Sequence, residues 1–223
     1  EFLVVALDIS HVVLPKPSTI GANLYEIIQR GLLLKNLYIT VYEIVVGFFI
    51  GGVLGMILGT AVALSPAMNR IIYPFIVAFQ SIPKVAIAPL TVIWFGFGIK
   101  SKIVMTVLLS FFPVVVNTIA GLRAPEQSQI DLMTSLAASK WQTFKYVRLP
   151  SSLPYIFAGL EIAIVLSVIG AIVGEFVGAS KGLGYLMMFF NARLDVASSF
   201  AILLVLALLG LVLQSLMTLI RQK

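Results

Sequence analysis

Long runs of apolar residues fill most of the chain, and their length is the one that a lipid bilayer requires. A hydrocarbon core of roughly 30 Å takes about 20 helical residues to cross, and five runs reach that length. They cover residues 37–64, 71–97, 103–122, 153–177 and 196–220. None alternates apolar and polar positions as a barrel strand would, so the runs predict an all-α membrane protein.

The first residues form a sixth apolar stretch that is too short to cross a membrane alone. Residues 2–14 read FLVVALDISHVVL and contain Asp8 and His11. We expect this stretch to be the outer end of a further span that is truncated here, giving about six transmembrane helices in one domain over residues 1–223. A cleaved signal peptide is the alternative, but no basic region precedes the stretch and no small-residue cleavage site follows it.

Composition agrees with a membrane protein and excludes several kinds of chemistry. Hydrophobic residues make up 60% of the chain and charged residues 11%, against roughly 45–50% and about 25% in soluble domains. The net charge of +6 suits anionic lipid headgroups, and no basic and aromatic surface typical of nucleic-acid binding is evident. With no cysteine and one histidine, the sequence predicts neither a catalytic nor a metal site.

Two glycine stripes indicate where helices pack closely. Gly47, Gly51, Gly55 and Gly59 recur every four residues, and a second stripe follows at Gly170, Gly174 and Gly178. Small residues on one helical face let a neighbouring backbone approach. The stripes predict close packing, either inside one subunit or across a dimer contact.

The run over 71–97 differs from the others because it contains Pro74, Pro83 and Pro89. Proline removes a backbone donor and clashes with the preceding turn, so this span should be broken. Broken backbone at membrane depth is tolerated where it is buried in protein or lines a water-filled cavity. The run is therefore either a lining of a transport pathway or a kinked structural helix.

Few polar side chains lie inside the runs, and each is costly in lipid. Glu161 and Glu175 are fourteen positions apart, which places them nearly on one helical face. They could form an ion relay, or each could be paired or hydrated near opposite interfaces. The candidate pathway residues are Gln80, Asn117, Ser167 and Glu175.

One amphipathic stretch, DLMTSLAASKWQTFKYVRLP over residues 131–150, separates the third and fourth runs. Its apolar residues recur at helical spacing, so it predicts one or two short helices that end at Pro150. Such a helix could lie in the membrane interface. It could equally offer its apolar face, including Trp141, to a groove on another protein.

This stretch resembles the loop signature of permeases of binding-protein-dependent ABC importers. The signature is a Glu-Ala-Ala triplet, a Gly four residues after the last Ala, and Ile-x-Leu-Pro at the end. The matching positions are Asp131, Leu132, Met133, Ala137, Val147, Leu149 and Pro150. Outside the loop, SIPKVAIAPLTVIWFGFG, FFPVVVNTIAGLR and GEFVGASKGLGYLM are similar to the nitrate, sulfonate and taurine branch, and the resemblance runs over residues 14–221.

The resemblance implies a type I ABC importer transmembrane domain in a bacterial plasma membrane. Two copies would pair, bind two cytoplasmic ATPase subunits and receive a small anionic or heterocyclic solute from an extracytoplasmic binding protein. ATP and Mg would be held by the ATPase, so this chain would carry no cofactor. Residues 123–150 would be the cytoplasmic coupling loop, with Ala138 and Trp141 among its contacts to the ATPase. The resemblance thus also orients the bundle in the membrane, which the even distribution of Lys and Arg between the two sides does not do.

An ion-coupled secondary transporter is the alternative function. It would use an intramembrane carboxylate such as Glu175, and it would usually show an internal repeat of its spans. No such repeat is evident in the sequence. A channel would need a polar ring that acts as a filter, which is also not evident.

Overall fold

The computed structural model describes residues 14–221, and the regular structure in that range is helical. The helices are α1 (Pro17–Gln29), α2 (Leu32–Leu64), α3 (Pro66–Gln80), α4 (Ala88–Phe95), α5 (Ile99–Arg123), α6 (Gln127–Ser135), α7 (Lys140–Thr143), α8 (Leu149–Gly178), α9 (Leu183–Ala192) and α10 (Val196–Arg221). The stretch that we expect to be part of a sixth span, with Asp8 and His11, lies outside the described residues except for Leu14.

Within residues 14–221, four helices are long and apolar enough to cross a membrane. They are α2, α5, α10 and one continuous helix, Lys140–Gly178, that contains both α7 and α8. The bent pair of α3 and α4 makes a fifth span if it is counted as one. The prediction of an all-α membrane protein is confirmed, but α2 begins at Leu32, five residues before the predicted boundary.

The span over 71–97 is broken, as its prolines predict. Helix α3 ends at Gln80 and α4 lies at 89° to it. Pro83 separates them and precedes a short 3₁₀ turn, Lys84–Ile87. Pro89 sits in the first turn of α4, where a missing N–H costs nothing. The break therefore lies at Pro83, whereas Pro74 is accommodated inside α3.

Helix α5 lies at the centre of the bundle between the two glycine stripes. A Cβ added to a glycine of the first stripe would lie within 3 Å of α5 atoms. The pairs are Gly47 with Thr106, Gly51 with Ser110, Gly55 with Val114 and Gly59 with Thr118. Both helices advance four residues per pair, so α2 and α5 run parallel. The first stripe thus packs inside one subunit, which decides between the two alternatives for it.

Helix α8 packs antiparallel on another face of α5. A Cβ at Gly170 would lie 2.8 Å from Cα of Thr106, and one at Gly174 would lie 3.1 Å from Cα of Lys102. The Thr106 hydroxyl at this contact bonds within its own helix: Thr106 Oγ1 donates to the Lys102 carbonyl at 2.9 Å. The Thr106 hydroxyl therefore keeps a hydrogen-bond acceptor despite the close contacts. A hydroxyl without an acceptor would be costly in lipid.

A second layer surrounds this centre. Helices α1, α9 and α10 share a core with the start of α2, made by Ile27, Leu33, Leu183, Leu186, Ala201, Ile202 and Leu206. Helix α10 is also joined to α8 by an ion pair between Arg221 Nη1 and Glu161 Oε2 at 3.1 Å. This bond is consistent with the paired alternative for Glu161.

We expect Gly55→Val to lower the stability of the folded chain by about 1–3 kcal/mol, because the added atoms overlap α5. Gly210→Val is the matched control, since a Cβ at Gly210 meets nothing within 4 Å. Thermal unfolding in detergent measures the difference. Equal loss in both variants would show that helix propensity alone, and not the close contact, sets the effect.

Candidate functional site

The first half of the 123–150 loop ends in a turn that favours glycine. Ala137 has φ +52° and occupies the position that is Gly in the loop signature. The Ala137 N–H donates to the Thr134 carbonyl and the Ala138 N–H donates to the Met133 carbonyl, both at 2.9 Å. This is the Schellman pattern that ends a helix with a left-handed residue. The chain therefore keeps the turn that the signature requires although its side chain is alanine.

The second half of the loop starts a helix that continues into the membrane. Ser139 accepts from the Gln142 N–H and its own N–H donates to Gln142 Oε1, which is a capping box. A π-helical segment, Phe144–Arg148, then joins α7 to α8. Leu149 and Pro150 lie in the first turn of α8, so the predicted end at Pro150 is wrong. Proline is compatible with a first helical turn and does not stop this helix.

Large apolar side chains are exposed on the loop. Leu136 is 69% exposed and Trp141 67%, and Leu132 and Tyr146 are exposed as well. Trp141 stacks on Phe144 with ring centroids 5.4 Å apart. The other predicted loop residues are exposed at Asp131, Ala137, Leu149 and Pro150 and half-buried at Met133, Ala138 and Val147. A contiguous apolar surface of this kind is typical of a docking face.

A groove of about 380 Å³ opens beside the break between α3 and α4. It is lined by Gln80, Lys84, Val85, Leu109, Phe112, Pro113, Val116, Asn117, Ile162 and Leu166. The predicted pathway residues Gln80 and Asn117 thus lie in one groove. Among the described residues that line it, none is acidic.

Lys84 supplies the positive charge of this groove. Its Nζ donates to the Gln80 carbonyl at 3.3 Å and lies 5.0 Å from the centroid of the Phe112 ring. A lysine at the end of α3 also complements the negative end of the helix dipole. Lys84 was not among the predicted pathway residues, although a lysine after Pro83 inside an apolar run was the available signal.

Ser167 and Glu175 lie away from this groove. Ser167 is buried and its Oγ donates to the Ala163 carbonyl at 2.7 Å. Glu175 is buried at the far end of α8, beside the loop that leads to α9. The structure thus brings two of the four candidate pathway residues together.

Glu175 belongs to a set of side chains that cap α9 from other helices. The Gly184 N–H donates to Glu175 Oε2 at 2.5 Å, and the Thr40 hydroxyl donates to Glu175 Oε1 at 2.6 Å. The Leu183 N–H donates to Thr40 Oγ1 at 2.8 Å, and the Gly182 N–H donates to Asn36 Oδ1 at 2.7 Å. The first amides of a helix have no intrahelical partner. For α9, side chains on two other helices, α2 and α8, supply the acceptors.

Lys102, which lies one residue before the predicted run over 103–122, is buried beside this set. It is 2% exposed, and its Nζ donates to the carbonyls of Phe97, Gly98 and Gly178. Those carbonyls lie in the loop before α5 and at the end of α8, where a cation satisfies unpaired acceptors. Lys102 is the buried base near Glu175, whereas Lys181 is exposed.

Glu43 completes this group of buried ionisable side chains. It is 2% exposed, and its Oε2 has no hydrogen-bond partner among the residues the structure describes. It lines a cavity of about 260 Å³ together with Lys102 and Lys181. Across residues 14–221, no three acidic or histidine side chains are grouped as a metal ion would need.

Comparison with known proteins gives a consistent result. A model of the family described as binding-protein-dependent transport system inner membrane component matches residues 51–223. A probable ABC transporter permease protein of Haemophilus influenzae is 40% identical, over 90% of this chain and 81% of that protein. The formylaminopyrimidine transport permease protein ThiX of Halalkalibacterium halodurans is 39% identical, over 89% and 79%. The putative aliphatic sulfonates transport permease protein SsuC of Bacillus subtilis is 31% identical, over 96% and 78%.

Among solved structures, a chain of the MetNI methionine ABC transporter in an inward-facing conformation superposes with a TM-score of 0.74. The identity is 22%, over 86% of this chain and 95% of that chain. At this identity the likeness shows the fold. It confirms the expected type I importer transmembrane fold.

We expect Ala137→Gly to stabilise the end of α6 by about 1 kcal/mol, because glycine adopts a left-handed conformation without the steric cost that alanine has. Hydrogen exchange of the Ala138 amide, which closes the turn, should slow about fivefold. Ala138→Gly is the control and should give no protection. Faster exchange in Ala137→Gly would contradict the strain inferred at this position.

Proposed function

This chain belongs to the family of binding-protein-dependent transport system inner membrane components and is a permease subunit of an ABC importer for a small solute, and on that basis we propose its assembly and pathway. Two copies pair in the bacterial plasma membrane. Two ATPase subunits, which hold ATP and Mg, bind on the cytoplasmic side, and a binding protein delivers the solute on the other side. The chain is a transporter and not an enzyme.

The exposed apolar surface of the 123–150 loop is the observation that supports the ATPase contact. Leu136 and Trp141 are more than half exposed on a loop that follows one span and leads into the next. Burial of aromatic and aliphatic side chains in a pocket of a partner is the usual core of a stable interface. This contact places the loop in the cytoplasm, and with it the ends of α2 and α5.

The groove at the break between α3 and α4 supports the position of the pathway. It lies beside broken backbone at membrane depth, which needs protein or water around it. One chain supplies an open groove, and a second copy related by a two-fold axis would close it. Gln80 and Asn117 then face the solute.

The charge of the groove favours small anionic or heterocyclic solutes over cations. Lys84 lines it, the other polar side chains are the amides of Gln80 and Asn117, and Phe112 offers a ring for stacking. A single positive charge in a site of low dielectric attracts anions and repels cations. Two similar permeases are named for solutes of these two kinds. Aliphatic sulfonates are anionic, and formylaminopyrimidine is heterocyclic.

We expect uptake to be driven by ATP and not by an ion gradient. The purified complex in liposomes, tested with labelled taurine, an aliphatic sulfonate, formylaminopyrimidine and riboflavin, should import one of them only with ATP. Collapse of the proton and sodium gradients should not change the rate. Glu175→Gln should lower uptake only modestly, because it replaces one acceptor of the α9 cap with a donor.

Uptake without ATP that disappears when the gradients collapse would contradict this function and favour an ion-coupled transporter. Loss of all uptake in Glu175→Gln, in a complex that still assembles, would point the same way.

We expect cysteines at positions 80 and 117 to react with charged thiol reagents, and nucleotide should change their rates, because both positions line the groove. Residues 1–223 contain no cysteine, so label read on this chain reports the introduced residue. Ser167→Cys is the matched buried control and should react at least tenfold more slowly. Equal rates at all three positions would remove the groove from the pathway.

A further inference from the structure

Arg148 joins the 123–150 loop to the central helix. It is the last residue of the π-helical segment, and its Nη1 donates to the Leu122 carbonyl at 3.1 Å. Leu122 is buried in the last turn of α5. The last four carbonyls of a helix have no intrahelical partner, so this guanidinium binds α5 where its backbone is free to accept.

Arg123 continues the connection from α5 to α2. Its Nη2 donates to the Val62 carbonyl at 3.2 Å, and Val62 is fully buried in the last turn of α2. A cation at this position also complements the helix dipole. The two arginines therefore form a series of two bonds, from the loop to the end of α5 and from α5 to the end of α2.

The contact between α5 and α8 is tight at the same level. A Cβ at Gly121 would lie 2.8 Å from Cβ of Tyr155 and 3.0 Å from Cα of Ser152. The end of α5 thus packs against the first turns of α8. A displacement of the loop that moved one of these helix ends would have to move the other.

The π-helical segment gives this side connection a function. The Leu149 N–H donates to the Phe144 carbonyl, five residues back, instead of four. Such a segment interrupts the regular hydrogen-bond ladder and is a common position for bending. A helix that can bend between the docking surface and the membrane transmits a tilt poorly through its own backbone.

We propose that Arg148 and Arg123 are positioning residues that transmit the movement of the docked loop into α5 and α2. This linkage rests on the proposed function, since it needs an ATPase that moves the loop. Arg148 acts first and Arg123 second, and neither contacts the solute. Helices α2, α5 and α8 then move together, and the groove beside Asn117 opens or closes with them.

The test uses Asn117→Cys as a reporter in the whole complex of permease and ATPase. The probe is a charged thiol reagent, and the measured quantity is the change in labelling rate on addition of ATP. In the Arg148→Met background this change should shrink about tenfold, while the ATPase still co-purifies and still hydrolyses ATP. Methionine keeps the apolar stem of the side chain but removes its donors. Arg148→Lys, which keeps a charged donor, should give an intermediate response.

Arg70→Met is the matched control, because Arg70 is exposed on α3 at the same end of the bundle. It should respond to ATP as the reporter parent does. Arg123→Met should keep the response at Asn117, which lies on α5, but should lose the ATP response of a cysteine at Leu64, which is exposed at the end of α2. At Leu64 the double variant should be no worse than Arg148→Met alone, because bonds in series fail together.

A full response in Arg148→Met, with the ATPase bound, would overturn the linkage and leave the proposed function in place. If Arg148→Met does not assemble, a full response of the Leu64 cysteine in the Arg123→Met background overturns it equally. A parent complex that binds no ATPase would instead contradict the proposed function, and the linkage with it.

Discussion

The close approach of α5 to its two neighbours is the contact on which the rest of the structure depends. In lipid no hydrophobic force drives helices together, so association relies on dispersion contacts and on backbones that come near each other. Here one helix offers glycines at Gly47 and Gly55, and another offers one at Gly170. Each removes a side chain that would hold the axes apart. The three helices form a unit that the outer helices can pack against.

Because α5 is enclosed, its two ends are where polar chemistry can act. At one end the buried Lys102 gathers three carbonyls from two segments. At the other end Arg123 and Arg148 each bind a terminal carbonyl of a neighbouring helix. Each of these three basic side chains donates to backbone carbonyls at a helix end or in a loop. Those at the C-terminal end of a helix have no other donor within the helix. The bundle is thus fixed at both ends by the same physical device, a long basic side chain on free backbone oxygens.

Local patterns in the sequence predicted much of this fold. Run length gave the spans, proline spacing gave the break, and the signature position of Ala137 corresponds to a left-handed turn. What the sequence did not predict depends on residues far apart in the chain. One partner of Glu175, Thr40, is on α2 at a distance of 135 positions in the sequence, and no periodicity records such a pair. The burial of Lys102 was not predicted for the same reason, since one carbonyl that its Nζ binds belongs to Gly178 at the end of α8.

The cap of α9 has a consequence for how the protein is made. Its first amides have acceptors on α2 and α8, at Asn36, Thr40 and Glu175. Until those helices are inserted and paired, this short helix begins with unsatisfied donors and is costly to keep in lipid. Chains emerge from the ribosome with their N-terminal part first, so α2 is present before α9 is synthesised. Docking of α9 therefore completes the assembly of this end of the bundle during biogenesis, and a chain that lacks the cap would expose an unfinished segment to the membrane quality-control proteases.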